Sequence, residues 1–295
     1  MSRRLRVLLL GGTGQIGTEL RSLLASVADV TAPSREQLDC CRTDKVCEYV
    51  TALQPDAVLN AAAFTRVDDA ETERAEAAQL NAELPGILAS ACERIGASLV
   101  HFSTDYVFGG NASRPYREDD PTGPVNWYGA TKLAGELAAL SACERIIVLR
   151  TSWVYGRTGR NFFRTVLRLA REREEVRIVD DQCGAPTWAH EIANGTIDVL
   201  TTLGADAAEW SNYRGVYHLS AGGMTSWFEF AERILSSDPD RPSHTLRRLT
   251  PIRSSEYPTL AARPAYSVLD SSLINDRLGI RLLPWDVQLE RLWSS

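Results

Sequence analysis

Tyr128 and Lys132 stand four residues apart at the start of an apolar-periodic run that predicts a helix. On a helix this spacing puts both side chains on one face. A free phenol has a pKa of roughly 10, and a neighbouring ammonium group stabilises its anion. We therefore interpret Tyr128 as a general acid tuned by Lys132; the alternative is an exposed helical pair without catalytic function.

Thr104 is the candidate for a second hydroxyl group at the same site. It follows Leu99–Phe102, a short apolar run that predicts a buried strand. A hydroxyl group at the carboxyl end of a parallel strand lies where such sheets bind their ligands. Thr104 and Tyr128 are therefore expected to reach the same bound molecule.

Three glycines, Gly11, Gly14 and Gly17, separate the apolar run Val7–Leu10 from a helical pattern that begins at Thr18. Between a strand and a helix, this spacing allows a tight turn and a close approach of the backbone to a pyrophosphate at the helix N-terminus. The amino-terminal position and the strand-turn-helix context predict a dinucleotide-binding site.

The end of the next predicted strand bears on the choice of dinucleotide. It carries Ser34 and Arg35 and no acid that could hold a ribose diol, which favours NADPH through its 2′-phosphate. An exposed loop arginine is the alternative interpretation of Arg35. Asp39 could accept a hydrogen bond from the adenine amino group or act as a turn residue. Ala63 and Thr65, after another strand, could form a wall of the cofactor site or serve helix–strand packing.

Strands and helices alternate through the first half of the chain, which predicts an α/β fold with a doubly wound parallel sheet. We expect a dinucleotide-binding domain over residues 1–155 and a smaller substrate lobe over residues 156–295, with about 187–219 returning to the sheet. Residues 71–94 predict helix, interrupted near Pro85.

The net charge of −6 gives no basic field for a polyanion, so nucleic acid is not an expected partner. No apolar run reaches the length of a membrane span, and the run after the basic start, Met1–Arg6, is too short for a signal peptide. We therefore expect a cytoplasmic protein. The six cysteines and four histidines are dispersed, so we expect reduced thiols and no zinc site.

Taken together, these motifs resemble the extended short-chain dehydrogenase/reductase family. The resemblance covers essentially the whole chain and is specific through the order of its motifs: Gly11–Gly17, Asn60–Thr65 with Val67 and Asp68, Ser103–Phe108, Tyr128–Lys132, Arg150–Tyr155, Asp181–Thr187, and Tyr257–Thr259 with Arg263 and Pro264. Within that family it implies reduction of the C4 ketone of a dTDP-sugar, dTDP-6-deoxy-L-lyxo-4-hexulose, to dTDP-L-rhamnose, with NADPH or NADH as the hydride donor.

The resemblance also implies residue roles. Tyr128 is the implied general acid, Thr104 bonds the sugar, and Lys132 binds the nicotinamide ribose and lowers the tyrosine pKa. Asp105 and Trp153 match substrate contacts, Trp153 by stacking on the sugar. The implied cofactor contacts are Gly14, Gln15, Ile16, Asp39, Cys40, Ala63, Phe64 and Thr65.

Three points stay open at this stage. Some family members bind Mg²⁺ between two subunits; Glu19 falls at one ligand position, but His190 replaces a second acid and no third ligand is located. The chain is accordingly expected as a monomer or a homodimer. The alternative functions are a non-catalytic NADP-binding regulator, similar to the β-subunit of methionine adenosyltransferase, and a reductase or epimerase for a related sugar nucleotide.

Overall fold

The computed structural model describes residues 4–295, so Met1–Arg3 of the basic start lie outside the described residues. In chain order the strands are β1 Leu5–Leu10, β2 Ala28–Thr31, β3 Ala57–Asn60, β4 Ser98–Thr104, β5 Ile146–Thr151, β6 Val154–Tyr155, β7 Glu175–Val179, β8 Cys183–Gly184, β9 Thr187–Trp188, β10 Gly215–His218, β11 Thr225–Ser226 and β12 Arg248–Ile252.

The α-helices follow the same order. They are α1 Gln15–Leu24, α2 Thr43–Leu53, α3 Arg74–Ala78, α4 Leu84–Ile95, α5 Trp127–Ala142, α6 Phe162–Glu172, α7 Ala189–Leu203, α8 Ala207–Asn212, α9 Trp227–Ser237, α10 Ser272–Leu278 and α11 Trp285–Ser294. The helix predicted over 71–94 is interrupted by a π-helical segment, Gln79–Glu83, just before Pro85 in the first turn of α4.

The central sheet has the strand order β10-β5-β4-β3-β1-β2 within the described chain, and every pairing in it is parallel. The prediction of a doubly wound parallel α/β fold is confirmed. From β1 the chain goes to β2 on one side and to β3 on the other, so the crevice between β1 and β3 is the topological switch point.

Burial on both faces explains why the strands are unbroken apolar runs. Val7 and Leu9 pack in the core beneath α1 and α7, whereas Leu8 and Leu10 pack in the core beneath α2, α4 and α5. Successive side chains of a strand point to opposite faces, so a strand covered on both sides buries every side chain and favours apolar residues. Two polar exceptions, Asn60 of β3 and His101 of β4, lie 3.1 Å apart and satisfy each other.

Residues beyond Tyr155 build a further core, to which Tyr155, Phe163, Phe230 and Leu289 contribute. β7 and β12 form a two-stranded parallel pair in this part of the chain. In contrast, α7 packs in the core of the central sheet and β10 pairs with β5 at the sheet edge. The domain boundary at residue 155 stays a prediction. No helix in residues 4–295 combines the length and the apolar character that a membrane crossing requires.

Candidate active site

The glycine turn lies at the switch point of the sheet. Gly11 has φ +77°, and a Cβ there would lie 2.5 Å from the backbone of Ala61, which directly follows β3. A Cβ at Gly17 would overlap the carbonyl oxygen of Gly11, so α1 packs directly on the turn. Only glycine permits these two approaches. They bring the N-terminus of α1 to the carboxyl ends of β1 and β3.

The first turn of α1 is suited to an anion. Gly14 is its N-cap and has no side chain to occupy the free amides, and no acidic residue lies in the first turn. The N–H groups of Gln15, Ile16 and Gly17 therefore lack intrahelical acceptors, and the positive end of the helix dipole is not neutralised there. This turn fits the pyrophosphate of a dinucleotide.

The residues predicted around the adenosine lie beyond β2. Arg35 is 76% exposed, with its guanidinium 3.8 Å from Asp39 and 3.9 Å from Glu76. The Asp39 carboxylate accepts a hydrogen bond from the Cys41 N–H at 3.1 Å, which is the turn role. Cys40 is partly buried, and burial, the largest cause, raises the pKa of its thiol to about 11. The Cys40 thiol is therefore uncharged at neutral pH, and it would offer a cofactor an uncharged contact.

Phe64 differs from its neighbours Ala63 and Thr65 in being fully enclosed. Its side chain is 2% exposed, and the Asn81 carboxamide bonds both its N–H, at 2.9 Å, and its carbonyl oxygen, at 3.0 Å. Phe64 therefore holds the loop after β3 in place, while Ala63 and the exposed Thr65 remain the cofactor-wall candidates.

Tyr128 is brought to the sheet edge by the first turn of α5. Asn126 caps this helix by accepting a hydrogen bond from the Gly129 N–H at 2.8 Å. A Cβ at Gly129 would overlap the Tyr106 carbonyl oxygen, so the helix lies directly on the turn after β4. The Tyr128 ring meets the Tyr106 ring edge to face, with centroids 5.7 Å apart, and its phenol faces the Thr104 hydroxyl.

Burial, the largest cause, raises the pKa of Tyr128 to about 12, although the Thr104 hydroxyl acts to lower it. The expected tuning by Lys132 is not found. The Lys132 Nζ donates to the Phe102 carbonyl oxygen at 2.5 Å and lies 3.5 Å from His101 Nε2. Burial also lowers the pKa of Lys132 to about 8. The lysine is therefore directed at β4 rather than at the phenol, and the phenol is protonated at neutral pH.

The Asp105 carboxylate accepts hydrogen bonds from neighbouring hydroxyl groups and is buried. Asp105 is 2% exposed, and its carboxylate accepts from Thr104 and from Ser152, each at 3.0 Å. Burial raises the pKa of Asp105 to about 6 despite these hydrogen bonds. Asp105 therefore orients the Thr104 hydroxyl, and its carboxylate oxygens are engaged within the protein.

Trp153 has φ 43°, a backbone conformation rare for a residue other than glycine. Its indole stacks on Trp227 with centroids 3.4 Å apart and planes within 2°. A Cβ at Gly184 would overlap Cε2 of the indole, so the Gly184 backbone lies against the other face. Because both faces are covered, the implied stacking of a sugar on Trp153 is not available in this structure, and only the ring edge is left for a ligand.

Of the predicted residues, the structure joins Thr104 and Asp105 by a hydrogen bond, brings the Tyr128 phenol beside Thr104 and places Lys132 on the next turn of the same helix. Glu19 and His190 form a pair at 3.0 Å. Across residues 4–295 no three His, Cys, Asp or Glu side chains are grouped to hold a metal ion, so the structure adds no Mg²⁺ ligands to these two.

The chain matches the family model described as RmlD substrate binding domain over residues 5–295. It belongs to this family. A relative from Burkholderia thailandensis, named dTDP-4-dehydrorhamnose reductase, is 45% identical over 284 residues, 95% of each chain. A Streptomyces antibioticus relative, named probable dTDP-4,6-dihydroxy-2-methyloxan-3-one 4-ketoreductase, is 41% identical over 90% of this chain and 86% of its own. The structure of the Bacillus anthracis dTDP-4-dehydrorhamnose reductase in complex with NADP has a TM-score of 0.90 and 33% identity, with 99% of both chains covered.

Family membership confirms the resemblance drawn from the motifs, and the structure adds residues that the motifs did not single out. Asn81, on the π-helical segment, holds the loop at Phe64. His101 lies between Asn60 and Lys132 in the middle of β4. Asn161 caps α6 and contacts Gln15. For Asn161 a signal existed, because an asparagine directly before an apolar-periodic run is typical of an N-cap.

Proposed function

We propose that this chain reduces the C4 ketone of dTDP-6-deoxy-L-lyxo-4-hexulose to dTDP-L-rhamnose with NADPH. The observation that carries the proposal is the juxtaposition of the Tyr128 phenol with the Thr104 hydroxyl at the carboxyl end of β4, in the same sheet whose switch point holds the glycine turn. The names of the relatives supply the sugar, and the NADP in the Bacillus anthracis structure supports the phosphorylated dinucleotide.

The glycine turn, the N–H groups of Gln15 and Ile16, and Ala63 and Thr65 would hold the dinucleotide, with Arg35 at its 2′-phosphate. When bound, the reduced nicotinamide supplies a hydride to the carbonyl carbon. Residues of this chain orient and protonate the ketone oxygen. With the sugar bound, the Thr104 hydroxyl would turn its proton from Asp105 to the ketone oxygen and orient it. Tyr128 gives that oxygen a proton as negative charge develops there. A phenol with a pKa of about 12 is fully protonated at neutral pH, and an alkoxide is a stronger base than a phenolate, so the transfer is downhill.

Lys132 keeps a cationic group one helix turn beyond Tyr128. Its ammonium is mostly protonated at pH 7 because its pKa, although lowered, is about 8. Held by the Phe102 carbonyl oxygen, it would bind the nicotinamide ribose.

The decisive experiment follows NADPH absorbance while the dTDP-4-keto-6-deoxy-L-sugar is generated in situ, with the UDP analogue as the control. The expected result is NADPH oxidation with the dTDP sugar and a product that co-elutes with dTDP-L-rhamnose. A non-catalytic regulator would bind NADPH without oxidising it, and an epimerase would release an isomer without net oxidation. Either result would overturn the proposal.

A related substrate is the second candidate, favoured by the relative from Streptomyces antibioticus that is named as a ketoreductase for a different dTDP-hexulose. Parallel assays with the two keto sugars separate the candidates through the ratio of their kcat/KM values.

A further inference from the structure

The loop between β6 and α6 brings a buried asparagine to the predicted cofactor turn. Asn161 is 9% exposed and caps α6, because its Oδ1 accepts a hydrogen bond from the Arg164 N–H at 3.0 Å. The two N–H groups of its Nδ2 are shared among three acceptors, two of which are the Gly156 carbonyl oxygen at 2.9 Å and the Thr158 carbonyl oxygen at 3.1 Å. The same Nδ2 lies 2.8 Å from Oε1 of Gln15, the first residue of α1.

These contacts determine the orientation of the Gln15 carboxamide. The Arg164 N–H can only donate, so the atom of Asn161 that faces it is the oxygen, and the atom facing the two carbonyl groups is the nitrogen. Gln15 must then present its oxygen to Asn161. This leaves both N–H groups of Gln15 Nε2 without an acceptor in residues 4–295, on a side chain at the N-terminus of α1.

Gly159 restricts the same side chain from a second direction. A Cβ at Gly159 would lie 3.0 Å from Cγ of Gln15, and Gly159 has φ +73°, so the loop passes close to the glutamine stem. Gln15 is thus held at its stem by Gly159 and at its oxygen by Asn161. The Asn161 side chain and the Gly159 backbone, both beyond the predicted domain boundary at residue 155, therefore decide where a residue of the glycine turn points.

We propose that Asn161 is a positioning residue for the dinucleotide: it fixes the Gln15 carboxamide so that Nε2 offers its donors to the anionic pyrophosphate at the N-terminus of α1. The inference rests on the proposed NADPH site. It gives the lobe that carries α6 a direct effect on cofactor affinity, through one hydrogen bond. Asn161 does not itself contact the cofactor.

The first test compares Asn161→Ser and Asn161→Asp, since serine and aspartate both cap helices well and α6 keeps its cap. Serine removes the amide donor. Aspartate can only accept, so Gln15 must turn its Nε2 away from the cofactor, and a negative charge is added. By titration of NADPH fluorescence, we expect the Kd to rise about tenfold in Asn161→Ser and further in Asn161→Asp. An unchanged Kd in both variants would overturn the inference.

The second test establishes that Asn161 acts through Gln15. Gln15→Glu keeps an acceptor for Asn161 but replaces the free donors with a carboxylate oxygen, so its NADPH Kd is expected to rise by at least as much as that of Asn161→Ser. Gln15→Ala is expected to abolish the effect of Asn161→Ser, so the double variant binds NADPH as Gln15→Ala does. Additive effects in this cycle would show that Asn161 acts by stabilising the fold, and would reject the positioning role.

These readouts separate the inference from the proposed function. Wild-type protein that does not bind NADPH contradicts both. Wild-type protein that binds NADPH, together with Asn161 variants whose Kd is unchanged, contradicts only the positioning role. Thermal unfolding without cofactor is measured in parallel, and a small change in Tm for Asn161→Asp beside a large change in Kd supports the inference.

Discussion

Glu136 of α5 and Arg150 of β5 form a buried bidentate ion pair. Arg150 Nη2 lies 2.7 Å from Glu136 Oε2, and its Nε lies 3.0 Å from Oε1; the two side chains are 4% and 1% exposed. The guanidinium also lies over the Phe108 ring, 5.1 Å from its centroid. Because Glu136 is one turn beyond Lys132, this pair attaches the helix of the proposed general acid to the sheet.

Glu136→Ala is expected to lower the free energy of unfolding by about 3–5 kcal/mol, because it leaves Arg150 buried and unpaired. Urea denaturation followed by circular dichroism measures the change. The matched control is the double variant Glu136→Leu with Arg150→Met, in which both charges are removed and most of the stability should return. Loss of less than about 1 kcal/mol in Glu136→Ala would mean that water or another group solvates Arg150.

Tyr128→Phe is expected to reduce kcat by roughly 10²–10⁴-fold, which is the usual contribution of a general acid. The NADPH Kd should stay unchanged, since the phenyl ring and its contact with Tyr106 remain. Tyr106→Phe is the matched control: it removes a neighbouring phenol that has no role in the proton transfer and should keep most of the turnover. Steady-state kinetics with the keto sugar decide between them, and equal losses in both variants would remove the special role of Tyr128.

Asp105 predicts a pH dependence of stability. Burial raises its pKa to about 6 in the folded state, above the unfolded value of about 4, so the folded state binds the proton more tightly. Its contribution to stability therefore falls as the pH rises from about 4 to 6, by on the order of 3 kcal/mol. In Asp105→Asn the side chain does not titrate, so this loss of stability should be absent. The unfolding free energy of the wild type should therefore fall relative to that of the variant as the pH rises from about 4 to 6. The same difference in unfolding free energy between wild type and variant at pH 4 and at pH 7 would contradict a raised pKa for Asp105.

The layout of the sheet could be predicted from the sequence because its strands are buried on both faces and therefore appear as unbroken apolar runs, as in Leu8 and Leu10. The glycine turn could be predicted for a similar reason, since only glycine tolerates the approach of Gly17 to Gly11. Burial and backbone geometry can thus be predicted from local sequence, because burial selects apolar residues and a close backbone approach selects glycine.

The direction of individual side chains leaves no such signal. The spacing of Tyr128 and Lys132 places them on one face, but whether the lysine reaches the phenol depends on the Phe102 carbonyl oxygen, which attracts it instead. Trp153 was expected to present a ring face, yet Trp227 and Gly184, both distant along the chain, cover it. These contacts depend on tertiary neighbours that local patterns do not encode.

Arg35→Ala tests the preference for the phosphorylated dinucleotide. Arg35 is 76% exposed and near two carboxylates, so in the absence of a ligand it contributes little to stability, but a 2′-phosphate would give it a charge-assisted partner. We expect the Kd for NADPH to rise about tenfold and the Kd for NADH to stay the same.

Arg42→Ala is the matched control, because Arg42 is 63% exposed and paired with Asp44 in a similar way. Arg35→Lys should retain part of the preference, since lysine keeps the charge but not the planar fork. Equal effects of Arg35→Ala on both dinucleotides would reject the phosphate contact.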